Sequence, residues 1–106
     1  MANMMKLMKQ AATMQKDMAR LQDELAAKTV EFSSGGGMVT ATATGDGSLK
    51  AIKIDPRVID PNEREMLEDL VFAAVDGAIK QSREMAAAEM SKVTAGLGLP
   101  GMLGMK

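Results

Sequence analysis

Three groups of residues in this chain have types and spacings that invite chemistry. Glu63, Glu65, Glu68 and Asp69 gather carboxylates of the kind used for acid–base work or cation binding. They follow Asp60-Pro61, where a helix is predicted to begin, and the partial positive charge of a helix N-terminus favours acids there on structural grounds alone. Gly35-Gly36-Gly37 is the second group. A phosphate-cradling loop continues into Lys-Ser/Thr and a helix, whereas Met38 and an alternating strand pattern follow here, so the glycines read as a flexible connection. Lys6, Lys9, Lys16 and Arg20 form the third, recurring along the first predicted helix. On a helix that projects, such cations can meet nucleic-acid phosphates, contacts that carry affinity but no sequence information.

Composition narrows the chemistry further. The chain has no His and no Cys, which removes thiol catalysis, disulfides, the commonest metal ligand and the usual general base near neutral pH. Asp46 and Asp55 stand a strand apart, without metal-ligand spacing. No catalytic constellation, metal, cofactor or small-molecule substrate is expected. Two Phe and no Trp or Tyr leave little for base stacking, which disfavours single-strand recognition. The net charge of −1 excludes an indiscriminate polyanion binder, but the charges are unevenly placed. Residues 1–28 carry five bases against three acids, and residues 61–94 four against seven. The N-terminus lacks a signal-peptide pattern and no run is apolar enough to span a bilayer, so a cytoplasmic protein without a membrane partner is expected.

Two long helices must position these groups. Met4, Leu7, Ala11, Met14, Met18, Leu21 and Leu25 alternate steps of three and four, the seam of an amphipathic helix from Asn3 to Lys28. The period then changes to two. Val30 and Phe32 mark a short strand, Ser33 to Gly37 a loop, and Met38 to Thr44 a Thr-rich strand. Gly45-Asp46-Gly47-Ser48 supplies residues tolerant of positive φ for a reversal. Leu49 to Asp55 returns as a third strand with Ile52 and Ile54 on one face beside Lys50. Asp60 as N-cap, Pro61 at the first position and Glu63 then open a helix running to about Val93. Its face of Leu67, Leu70, Val71 and Ala74 suits packing on a sheet. The expected fold class is α+β: long helix, three-stranded antiparallel meander, long helix.

These helices are too long for the body between them. At ~1.5 Å per residue they span roughly 40 and 50 Å, against a radius of gyration of about 13 Å for a compact chain of this length. The hydrophobic content includes 16 Ala and 12 Met, a core short of bulk. A second copy is the simplest way to bury the remainder. The expected core and dimer residues are Met14, Met18, Leu21, Leu25, Val39, Ile52, Ile54, Leu67, Leu70, Val71 and Ala74. Residues 1–94 read as one domain, and residues 95–106 as a Gly-rich flexible tail.

Gly35-Gly36-Gly37-Met38-Val39, Lys53-Ile54-Asp55-Pro56, Asp60-Pro61, Glu65 to Leu70 and the ending Gly96 to Gly101 follow in an order that resembles the YbaB/EbfC family of bacterial nucleoid-associated proteins. The resemblance covers nearly the whole chain. It implies a tweezers-like homodimer whose projecting helices contact double-stranded DNA with limited sequence preference, altering its conformation and influencing gene expression from the nucleoid. By position and charge, Lys80, Arg83 and Lys92 on the second helix then join Lys6, Lys9, Lys16 and Arg20 as candidate DNA contacts. The alternative is a protein-interaction adaptor, using exposed Met and Ala on the distal helices and the apolar residues from Leu97 to Met105.

Overall fold

The computed structural model of the protein describes residues 2–96. Helix α1 (Ala2–Ala27) leads into strands β1 (Thr29–Ser34), β2 (Val39–Thr44) and β3 (Leu49–Ile54), and α2 (Arg64–Gly96) closes the chain. The strands form one antiparallel sheet in the order β1-β2-β3. This is the α+β meander between long helices that the pattern predicts. The radius of gyration is 19.9 Å and the extents are 73 × 29 × 16 Å, well beyond the roughly 13 Å of a compact chain this size. The excess length is therefore projected, not folded away.

Burial along β2 alternates without exception. Val39, Ala41 and Ala43 are buried beneath α2, while Thr40, Thr42 and Thr44 face the other way. Small residues on both sides bring helix and sheet close: Ala74 and Ala78 are fully buried, and Phe32 of β1 lies directly under Gly77. Leu67, Leu70 and Val71 pack around this centre. Ser82 is the one buried polar side chain among the described residues; its hydroxyl donates to the Thr44 carbonyl at 2.7 Å, so burial leaves it satisfied.

Local chemistry departs from the sequence reading at four points. Ser33 and Ser34 are strand residues, paired with Thr40 and Val39, and the Ser34 hydroxyl donates to the Leu70 carbonyl at 2.6 Å. The reversal contracts to Gly35–Gly37, all with positive φ, a tight left-handed turn in which the Met38 N–H donates to the Gly35 carbonyl at 3.3 Å, in place of the expected flexible connection. In β3 a bulge places Leu49, not Lys50, opposite Ala43, so the charged residue is the extra one. In the second reversal only Gly47 has positive φ. Gly45 is required for close approach instead: a Cβ there would stand 2.6 Å from the Leu25 carbonyl oxygen. Finally, Asp60 caps a short 3-10 turn, Pro61–Glu63, by accepting from the Asn62 N–H at 2.9 Å, and α2 begins only at Arg64.

Helix α1 is attached at its C-terminal end alone. Leu21 and Leu25 are buried, and the Gly45 N–H donates to the carbonyls of Leu25 (2.9 Å) and Lys28 (3.0 Å). The Lys28 ammonium reaches Glu89 of α2 at 3.1 Å. Higher up, Met18 is half-buried, Met14 is exposed, and Leu7 and Met4 are 64% and 68% exposed. Ile52 and Ile54, grouped with the core and dimer residues from sequence, stay exposed at 39% and 36%. They point to the α2 side of the sheet, but α2 lies over β1 and β2 and leaves β3 largely uncovered. Helix α2 runs through Ala95 and Gly96, two residues into the expected tail; residues 97–106 of that tail lie outside the described residues.

Candidate nucleic-acid interface

The cations of α1 occupy one side of the helix. Lys6, Lys9, Lys16 and Arg20 follow at steps of three, seven and four, so at ~100° per residue they fall within roughly 80° of arc over a rise of about 21 Å. The seam carrying Leu21 and Leu25 lies about a third of a turn away, which keeps the ammonium groups clear of the packing surface. All four are exposed.

Ion pairing divides the candidates. Arg20 is held by Asp17 at 3.0 Å, Lys80 by Asp76 at 3.0 Å, and Lys92 shares Glu89 with Lys28 at 3.4 Å. Glu89 thus answers two lysines, and its pKa is drawn below the ordinary carboxylate value, first by the hydrogen bond from Lys28. Arg20 and Lys92 face one crevice between α1 and α2 that also holds Asp17, Glu24 and Glu89. Acids outnumber those two bases there, making it a poor phosphate site. Lys6, Lys9 and Lys16 have no acidic partner among the described residues, and the helix from Ala2 to Lys16 contains no acid at all. Arg83 is likewise exposed and without an ion pair among the described residues, but stands on α2 away from the α1 row. The structure therefore brings Lys6, Lys9 and Lys16 together, joins Arg20 to Lys92 in a compensated crevice, and leaves Lys80 and Arg83 apart.

Sequence reasoning passed over Lys50 and Lys53. Both are exposed on β3 without an ion pair among the described residues. Lys53 lies opposite Thr40 on the sheet face that no helix covers. Alternation against Ile52 and Ile54 was the available signal, because apolar neighbours two apart force the intervening lysine outward. Among the described residues no group of acidic side chains is arranged to hold a metal ion, and no helix is long and apolar enough to cross a membrane.

The YbaB/EbfC DNA-binding family model matches residues 1–97. The chain belongs to this family. A nucleoid-associated protein of Acetivibrio thermocellus is 54% identical over 101 residues, covering 94% of this chain and 89% of that protein. One from Moorella thermoacetica is also 54% identical over 101 residues, covering 95% and 97%. The crystal structure of the uncharacterized protein HP0035 from Helicobacter pylori superposes with a TM-score of 0.74 at 22% identity, over 82% of this chain and 91% of that one. That likeness establishes the fold. The family match bears on the lysine row of α1, since a DNA-binding chain of net charge −1 has to concentrate its positive charge somewhere.

Proposed function

We propose that this YbaB/EbfC family member is a nucleoid-associated protein that holds duplex DNA by its backbone phosphates, chiefly through Lys6, Lys9 and Lys16, as a homodimer. The observation that carries this reading is the acid-free first half of α1, which bears three unpaired lysines on one side of a projecting helix. Phosphate contacts position a protein without reading bases, which accounts for limited sequence preference. A rigid helix laid along a duplex, present twice, gives the means of altering DNA conformation and influencing expression broadly.

What one protomer leaves uncovered supports the dimer. Ile52 and Ile54 share a side of the sheet with α2, and Phe72 is 71% exposed. Val75 and Ile79, three and seven residues beyond Phe72, continue that flank and are only half-buried. A second copy laid against this flank removes the apolar surface from water, at about 25 cal/mol per Å², and presents the lysine row twice.

Fluorescence anisotropy on several unrelated duplexes tests the reading. Replacing Lys6, Lys9 and Lys16 by Gln is expected to weaken binding to every duplex by a similar factor, at least about 100-fold at low salt. Replacing Lys80 and Lys92, which already hold acids, is expected to change it only a few-fold. Equal losses from both sets would reject the assignment to α1.

A further inference from the structure

The first half of α1 has two open sides, and they point in opposite directions. Met4, Leu7, Ala11 and Met14 continue the seam of Leu21 and Leu25 by steps of three and four, yet all four are exposed. At ~100° per residue their mean direction lies roughly 170° from that of Lys6, Lys9 and Lys16. Helix α2 does not reach them. Asp17, Arg20 and Leu21 stand beside Lys92 and Val93, so Gly96, three residues further on, comes level only with Lys16 to Met18. The projecting helix is thus cationic on one side and apolar on the other.

We propose that the apolar sides of two copies pair antiparallel, so that their lysine rows face outward on opposite sides and hold two duplexes together. A second copy fits this seam on three counts. In antiparallel alignment Met4 meets the partner's Met14 and Leu7 meets the partner's Ala11, a large residue on a small one, which lets the helices interdigitate closely. The flanking positions, Asn3, Met8, Gln10 and Gln15, carry no charge, so no like charges meet across the pair. Antiparallel order also sends the two protein bodies to opposite ends, where parallel order would bring them together. The contact is short. About three turns on each helix fall below the roughly 1,000 Å² of a stable interface, so the pair acts where copies are concentrated along DNA. The bridge rests on the reading of Lys6, Lys9 and Lys16 as DNA contacts; the pairing of the seams does not.

Capture of a labelled duplex by a second duplex fixed to beads tests the bridge, with anisotropy on a single duplex measured alongside. The unaltered full-length protein is expected to capture the labelled duplex. Met4→Gln, Leu7→Gln and Met14→Gln together replace exposed side chains by one of similar helix propensity. This variant is expected to lose capture at least tenfold, with binding to a single duplex changed less than twofold. Equal capture by the two proteins would overturn the proposal, as would single-duplex binding without capture by the unaltered protein. Failure to bind even a single duplex would overturn the bridge together with the DNA reading on which it rests. The seam has its own test, since the chain contains no cysteine and engineered ones report without background. At high protein concentration under mild oxidation, Met4→Cys mixed with Met14→Cys is expected to form a mixed disulfide between copies. It should form at least tenfold faster than either variant links to itself, because like positions stand ~15 Å apart along an antiparallel pair. Predominant like-with-like disulfides, or none, would refute the antiparallel seam.

Discussion

Replacing Gly77 by Ala sets two physical effects against each other, and the structure decides between them. In an ordinary helix interior, Gly→Ala is favourable by roughly 1 kcal/mol, because alanine loses less backbone entropy on folding. Here the new Cβ would stand 2.3 Å from Phe32 Cδ2, 2.4 Å from Cε2 and 2.6 Å from Cγ. Carbon atoms are at their best near 3.5–4.0 Å, so ring and helix would have to part by more than 1 Å. The ring has no easy retreat, since Phe32 is paired to Ala41 in the sheet and sits at the edge of the buried cluster. Overpacking of this kind costs typically 1–3 kcal/mol. With a contact this close, the upper part of that range applies, leaving a net destabilisation of about 1–2 kcal/mol. For a chain of this size that lowers Tm by about 5–15 °C, measured by circular dichroism at fixed protomer concentration. Phe32→Leu in the Gly77→Ala background is expected to recover part of the loss, a coupling that a double-mutant cycle isolates. A rise in Tm for Gly77→Ala alone would show that helix propensity wins and that the helix–sheet contact is looser than described.

Two further expectations concern the attachments around the sheet. Gly45→Ala places a methyl 2.6 Å from the Leu25 carbonyl oxygen and 2.8 Å from Met85 Cε, so it should lever α1 off the hairpin; amide exchange should accelerate along α1 at least tenfold while β2 stays protected, and uniform acceleration would contradict this. Asp55 accepts from the Arg57 guanidinium and backbone N–H, which hold its pKa down from 3.8 to about 2. Because the folded value is the lower one, this contribution to stability is complete above about pH 4 and is lost as pH falls towards 2. A carboxyl titration followed by NMR should show a midpoint near 2 in the native protein and a higher one in Arg57→Ala, still below 3.8 because the residue-57 backbone N–H remains a donor; a native midpoint near 4 would refute the pairing.

Much of the fold was legible because the signals were periodic. The seam of α1, the alternation in β2 and the Asp60-Pro61 start each reflect a local rule. What escaped the sequence depends on partners distant in the chain. Gly77 within α2 looks like a weak point until Phe32 is found beneath it. Gly45 looks like a turn residue until the Leu25 carbonyl arrives from α1. The bulge at Lys50 cannot be read from β3 alone, because register is a property of two strands. The same limit applies to the candidate site. Charge and spacing nominated seven cations, but only packing showed that Arg20, Lys80 and Lys92 already hold acids while Lys6, Lys9 and Lys16 do not. Lys50 and Lys53 are two lone cations on a short strand, with no run or helical spacing to single them out; only the sheet shows Lys53 opposite Thr40 on the open face.

The most direct test of the account is the salt dependence of duplex binding. A dimer offering Lys6, Lys9 and Lys16 twice makes about six phosphate contacts, so log K against log salt should fall with a slope near −5, or about 10³-fold between 50 and 200 mM salt. Neutralising the three lysines should bring the slope close to zero on any duplex. An unchanged slope in that variant, or a nearly flat one in the unaltered protein, would contradict the claim that the first half of α1 grips the DNA backbone.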